Sequence, residues 1–149
     1  MKTVLRRAAV IGASTMTAAT LAVPAAQAAP TADSSASART YYGAIALNSR
    51  TLAVGTSVNA KTATSAKSAA LTRCKKYSYS SYCRNVVWVS NGCAAVAVKY
   101  DSKGRPVRYA SAYGKYKWPT VRLAKKRAMG SSTAGTVKTR AYVCTTRYY

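Results

Sequence analysis

The sequence predicts an α+β fold: two degenerate strand–strand–helix–strand repeats, mainly antiparallel sheet with two helices, stapled by disulfides. Three observations predict it. The chain repeats itself weakly, so that Gly43 to Leu47 (GAIAL) matches Ala94 to Val98 (AAVAV) and Asn85 to Val89 (NVVWV) matches Thr139 to Val143 (TRAYV). Small residues recur at spacings of three and four between the matching strands, as on a helix face that packs closely on a sheet. Four cysteines follow a segment built for export, which favours disulfides over free thiols.

The N-terminal segment comes first. Lys2, Arg6 and Arg7 precede a mostly apolar run from Ala8 to Val23, Pro24 breaks it, and Ala26-Gln27-Ala28 supplies the small-x-small pattern of a cleavage site. This predicts a secretory signal peptide over 1–28. The run is too short and too rich in Ser and Thr for a membrane span. Cleavage after Ala28 would leave 121 of the 149 residues. Residues 29–40, small and polar without periodicity, read as a flexible leader. One domain over 41–149 follows, a size that suits a single core.

The helices have local reasons. Thr62 can cap the first, and Ala63, Ala66, Ala70 and Cys74 form its small-residue stripe. In the same register Ala66 falls on Ala124 and Ala70 on Ala128. The second helix tolerates Pro119 near its first turn, carries Val121, Ala124 and Ala128 as its stripe, and meets a stop at Gly130. Val107 to Tyr113 (VRYASAY) alternates, which puts Val107, Tyr109, Ser111 and Tyr113 on one strand face. Asp101 to Pro106 (DSKGRP) is a turn before it.

Four cysteines allow three pairings. In the first repeat Cys74 ends the helix and Cys83 opens the next strand; their counterparts in the second are near Ser132 and Val137. Both cysteines are missing there together, as expected of a bonded pair. The expected bridges are therefore Cys74–Cys83 and Cys93–Cys144. On the loop-entropy account they contribute roughly 3 and 4 kcal/mol. With no histidine in the chain and a Cys-x8-Cys spacing, a zinc knuckle is not expected. The ten residues from Cys74 to Cys83 then read as a helix-to-strand loop tied at its base, displaying Lys75, Lys76, Tyr77, Tyr79 and Tyr82.

Charge narrows the function. The chain has 24 Lys and Arg against 2 Asp and Glu. Without Lys2, Arg6 and Arg7 the balance is 21 against 2, a net charge of +19, and Asp101 is the single acid of the expected domain. Internal salt bridges are therefore scarce, and mutual repulsion favours polyanionic partners. The usual acid–base groups are nearly missing. Paired-carboxylate hydrolysis and a Ser-His-Asp triad are excluded, and no motif marks a serine–lysine dyad. The expectation is a non-enzymatic protein with no cofactor and no small-molecule substrate.

Basic residues alternate with aromatics in Lys75 to Tyr82, Arg108 to Trp118 and Thr146 to Tyr149. Cations pair with phosphate or carboxylate, and rings stack on flat groups. Strand alternation alone also produces such a pattern, with rings inward and charges outward. The electrostatic candidates are Lys75, Lys76, Lys115, Lys117, Lys125, Lys126 and Arg127; the stacking candidates are Tyr77, Tyr79, Tyr116 and Trp118. The expected function is a secreted or wall-associated domain that binds anionic polymers or surfaces unspecifically: teichoic acid, acidic glycan, phospholipid or nucleic acid. The alternative is a secreted effector or inhibitor module on an acidic protein partner; behind it stands an enzyme with an unrecognised serine or tyrosine nucleophile.

Several stretches together resemble a known family. These are Tyr41 to Ser49 (YYGAIALNS), Ser68 to Cys74 (SAALTRC), Cys83 to Val98 (CRNVVWVSNGCAAVAV) and the closing Ala141 to Cys144 (AYVC). They resemble the bacterial domain of unknown function 4189, found in small exported proteins. The resemblance implies this fold and export, and carries no activity with it. The second helix departs from the family pattern: it is basic and lacks its own cysteine pair.

Overall fold

The computed structural model describes residues 39–78 and 81–146. The expected signal peptide and nearly all of the leader lie outside the described residues, as do Tyr79, Arg147, Tyr148 and Tyr149. The elements follow the expected order: β1 (Tyr42–Asn48), β2 (Val54–Ala60), α1 (Ala63–Ser78), β3 (Cys83–Ser90), β4 (Cys93–Tyr100), β5 (Pro106–Gly114), α2 (Lys117–Met129) and β6 (Thr136–Cys144).

Each repeat closes its own antiparallel sheet of three strands, ordered β2-β1-β3 in the first and β5-β4-β6 in the second. The central strands β1 and β4 are the most fully buried of the described strands, and burial on both faces explains the nearly unbroken apolar stretches Gly43 to Leu47 and Cys93 to Val98. Their faces differ in size. Ala44 and Ala46 meet Ala66, Ala70 and Cys74 of α1, while Ala95 and Ala97 meet Val121, Ala124 and Ala128 of α2. Ile45 and Leu47 face Val96 and Val98 between the sheets. The result is four layers, helix–sheet–sheet–helix. Alanine lets each helix approach its sheet; the branched residues fill the thicker gap between sheets, each adding about 2 kcal/mol by burial.

Thr62 caps α1 as expected, its Oγ1 accepting the Ser65 amide at 3.1 Å. The tied loop is a correction. Helix α1 does not stop at Cys74; it runs on to Ser78, whose hydroxyl donates to the Cys74 carbonyl at 2.9 Å. Lys75, Lys76 and Tyr77 are therefore helical, for no Gly or Pro interrupts the run and two lysines suit the negative end of the helix dipole. Helix α2 is shorter because Gly130, with φ of 66°, ends it where the chain turns left-handed.

Both expected bridges are formed, Cys74–Cys83 and Cys93–Cys144. The first ties α1 to β3. The second joins β4 to β6 at directly opposed positions. Gly55 has a different structural duty: a Cβ there would lie 2.0 Å from the Ala70 carbonyl oxygen and 2.3 Å from the Cys74 nitrogen. Strand β2 thus rests against the backbone of α1, which no larger residue permits.

Candidate functional site

The strand β5 and helix α2 bring basic and aromatic residues together. Between them the chain passes Lys115 and Tyr116, and Lys117 and Trp118 open the helix. Thr120 turns inward and donates to the Tyr116 carbonyl at 2.7 Å, while Tyr116 and Trp118 stay exposed. The Lys117 ammonium lies 4.0 Å from the Tyr142 ring centre and 4.9 Å from that of Trp118. It also donates to the Tyr142 hydroxyl at 2.8 Å. Lys115 stands over Tyr116 at 5.4 Å. A ring beneath an ammonium holds it in place without cancelling its charge.

A second feature lies between the sheets. They stack with β3 over β5 and β2 over β6. Where β3 meets β5 the seam gapes into a groove. One part, of about 520 Å3, is lined by Trp88, Ser90, Asn91, Tyr113 and Lys115 among others. The adjoining part, of about 240 Å3, is lined by Val86, Ser111 and Arg127, and again by Trp88 and Tyr113. Those two aromatics therefore stand between the parts, 45% and 67% exposed. Val107 and Tyr109 line a further hollow along the same strand. The alternation holds for Tyr109, Ser111 and Tyr113, whose shared face is the seam, and a register shift opposite Lys99 and Tyr100 interrupts it at Val107.

The predicted residues divide. Lys115, Tyr116, Lys117 and Trp118 form one cluster, and Arg127 from the last turn of α2 reaches the seam. Lys125 and Lys126 are exposed on the same helix. Lys75, Lys76 and Tyr77 belong to α1, on the outer layer of the other sheet, and do not join them. Tyr79 lies outside the described residues. Trp88, Tyr113, Tyr142 and Lys67 were not among the site residues. Lys67 stands over the Trp88 ring at 4.7 Å, and Tyr42 adjoins that ring at 6.4 Å between centres. The alignment of Trp88 with Tyr142 across the repeat was a signal that both occupy one kind of position, but not that both are exposed.

Asp101 is committed elsewhere. Its carboxylate accepts the Lys103 and Arg105 amides at 2.9 and 2.8 Å and the Arg105 guanidinium at 2.8 Å, closing the β4–β5 turn. The Arg105 amide above all holds it below the usual carboxylate range; desolvation, the next effect, opposes this, and the Arg105 side chain and the Lys103 amide add to the lowering. That turn is at the far end of β5 from Tyr113, so no described acid offsets the cations around the seam.

Two disulfides belong to an oxidising environment. Among the described residues no helix is long and apolar enough to cross a membrane. A search of the curated proteins found no match, and neither did a search of the solved structures. The family model for the domain of unknown function DUF4189 matches residues 42–147, spanning both repeats, both bridges and the cluster around Lys117, and the chain belongs to that family.

Proposed function

We propose that this is a secreted, non-catalytic domain that binds anionic polymers or surfaces, with the β5–α2 face as its contact. The observation that carries the reading is the Lys117 ammonium held against the rings of Trp118 and Tyr142, with Lys115 and Tyr116 beside it. Ring-held cations meet a polyanion with less side-chain ordering to lose, and the exposed rings add flat contact area. The composition supports it: 24 basic against 2 acidic residues produce attraction to any polyanion. Export follows from the N-terminal pattern and agrees with the bridges. The lysines and arginine near the ends of α1 and α2 have a local duty toward the helix dipoles, and they serve the reading as background charge.

A salt titration tests it. Affinity for duplex DNA and for anionic vesicles should fall steeply with salt, each phosphate contact adding about 0.9 to the log–log slope on DNA. Lys115→Gln with Lys117→Gln should lower that slope by about 2. A flat salt response overturns the proposal.

A further inference from the structure

We propose that the open β3/β5 seam is a binding site for a short anionic saccharide, with the sugar ring against Trp88 and Tyr113 and its charged group at Lys115 or Arg127. This rests on the polyanion reading and adds a ligand class to it.

Three observations converge. First, the aromatics are placed for contact. Trp88 and Tyr113 come from different sheets and line both parts of the groove. Tyr113 does so from the inter-sheet face of β5, opposite Ala94, and Trp88 from the edge of β3, its side chain on the α1 face beside Tyr42 and Lys67 and 45% exposed. Such rings offer an apolar face to the C–H side of a sugar. Second, the charge is complementary and asymmetric. Lys115 lines one part of the groove, Arg127 the other, and Lys67 stands over Trp88, while Asp101 is at the far end of β5. Arg127 is held in position by donating to the Ser111 carbonyl at 2.9 Å. Third, the groove is closed at one end. A Cβ on Gly92 would lie 2.6 Å from the Gly114 carbonyl oxygen, so the β3–β4 turn presses on the end of β5 beside Lys115. A volume of about 520 Å3 falls within the range of small-ligand sites. A single-stranded nucleic acid instead needs an open track of roughly 4 to 16 nucleotides with successive rings along it. Ser90 and Asn91 add polar groups of the kind that sugar hydroxyls meet.

The chain has two tryptophans, Trp88 in the groove and Trp118 on α2, so their two indole N–H signals in an NMR titration report the two regions separately. Tetragalacturonate should shift the Trp88 signal saturably, whereas polyphosphate should shift only that of Trp118. Tyr113→Ala, an exposed position outside the core, should weaken tetragalacturonate binding about tenfold and leave polyphosphate binding unchanged. Tetragalacturonate that moves only the Trp118 signal, or binding indifferent to Tyr113→Ala, overturns the groove and leaves the polyanion reading standing. Oligothymidylate saturating the Trp88 signal in place of the saccharide overturns it in favour of nucleic acid. Loss of binding to every anionic probe sinks both readings.

Discussion

Along the β2/β6 seam the sheets are cross-linked: the Arg140 guanidinium donates to the Leu52 carbonyl at 2.8 Å, and Asn59 Oδ1 accepts the Thr146 amide and hydroxyl at 2.9 and 3.1 Å. Along the β3/β5 seam the Ser111 hydroxyl donates to the Val86 carbonyl at 3.0 Å, and beyond it the groove opens around Trp88 and Tyr113. The two seams use equivalent strands, since the third strand of one repeat lies over the second strand of the other in both. A repeated fold thus presents the same edge twice, once latched by polar contacts and once left open with rings exposed. Exposed aromatics in a groove are a cost to a lone domain and an asset to a binding one, which is why the open seam is the one proposed as a ligand site.

The repeats also differ in how closely each helix lies on its sheet, and this sets the largest expected effect. Ala46 is opposed by Gly55 and its counterpart Ala97 by Ala110. Gly55→Ala should cost about 3 kcal/mol in chemical denaturation of the oxidised protein, because the added methyl meets helix backbone that has nowhere to go. Ala110→Gly, the reverse exchange in the second repeat, should cost only about 1 kcal/mol. Equal losses would mean that the two helices pack alike.

A middle-sized effect compares the seams directly. Asn59→Ala should lose about 1 to 2 kcal/mol, since Thr146 loses its acceptor and the left-handed backbone at Asn59, φ 56°, suits Asn better than Ala. Ser111→Ala should cost about half of that. Hydrogen exchange should show faster opening at β2 and β6 in the first variant; an unchanged β2 edge would deny that Asn59 is a latch.

The smallest effect belongs to Asp101. Its folded-state pKa is lowered, so its contribution is present above the ordinary carboxylate pKa and is lost as pH falls through the folded value. Acid titration of the native protein should therefore loosen the β4–β5 turn before the sheets, and Asp101→Asn should flatten that response. Unaltered acid sensitivity in the variant would assign the effect to other groups.

Much of this was legible because its causes are local. The alanine stripes, Thr62 and Gly130 mark the two helices, and the repeat places the strands and pairs the cysteines. The end of α1 is not legible at Cys74, because a cysteine is no helix boundary: propagation depends on backbone hydrogen bonds, which Lys75 to Ser78 are free to continue. The candidate site was half legible. Lys115 to Trp118 show themselves as a basic-aromatic run. Tyr142 joins them only through strand pairing, from 25 residues away in the case of its bond to Lys117.

By itself, then, the sequence determined two strand–strand–helix–strand units, two covalent ties and a chain almost devoid of acids, because periodicity, composition and cysteine count are properties of short stretches. The tertiary structure alone decided that each unit closes its own sheet, that the sheets stack face to face, and that one of two equivalent seams stays open around Trp88 and Tyr113. Which strand edges meet depends on pairings between residues far apart in the chain, and no local pattern encodes them.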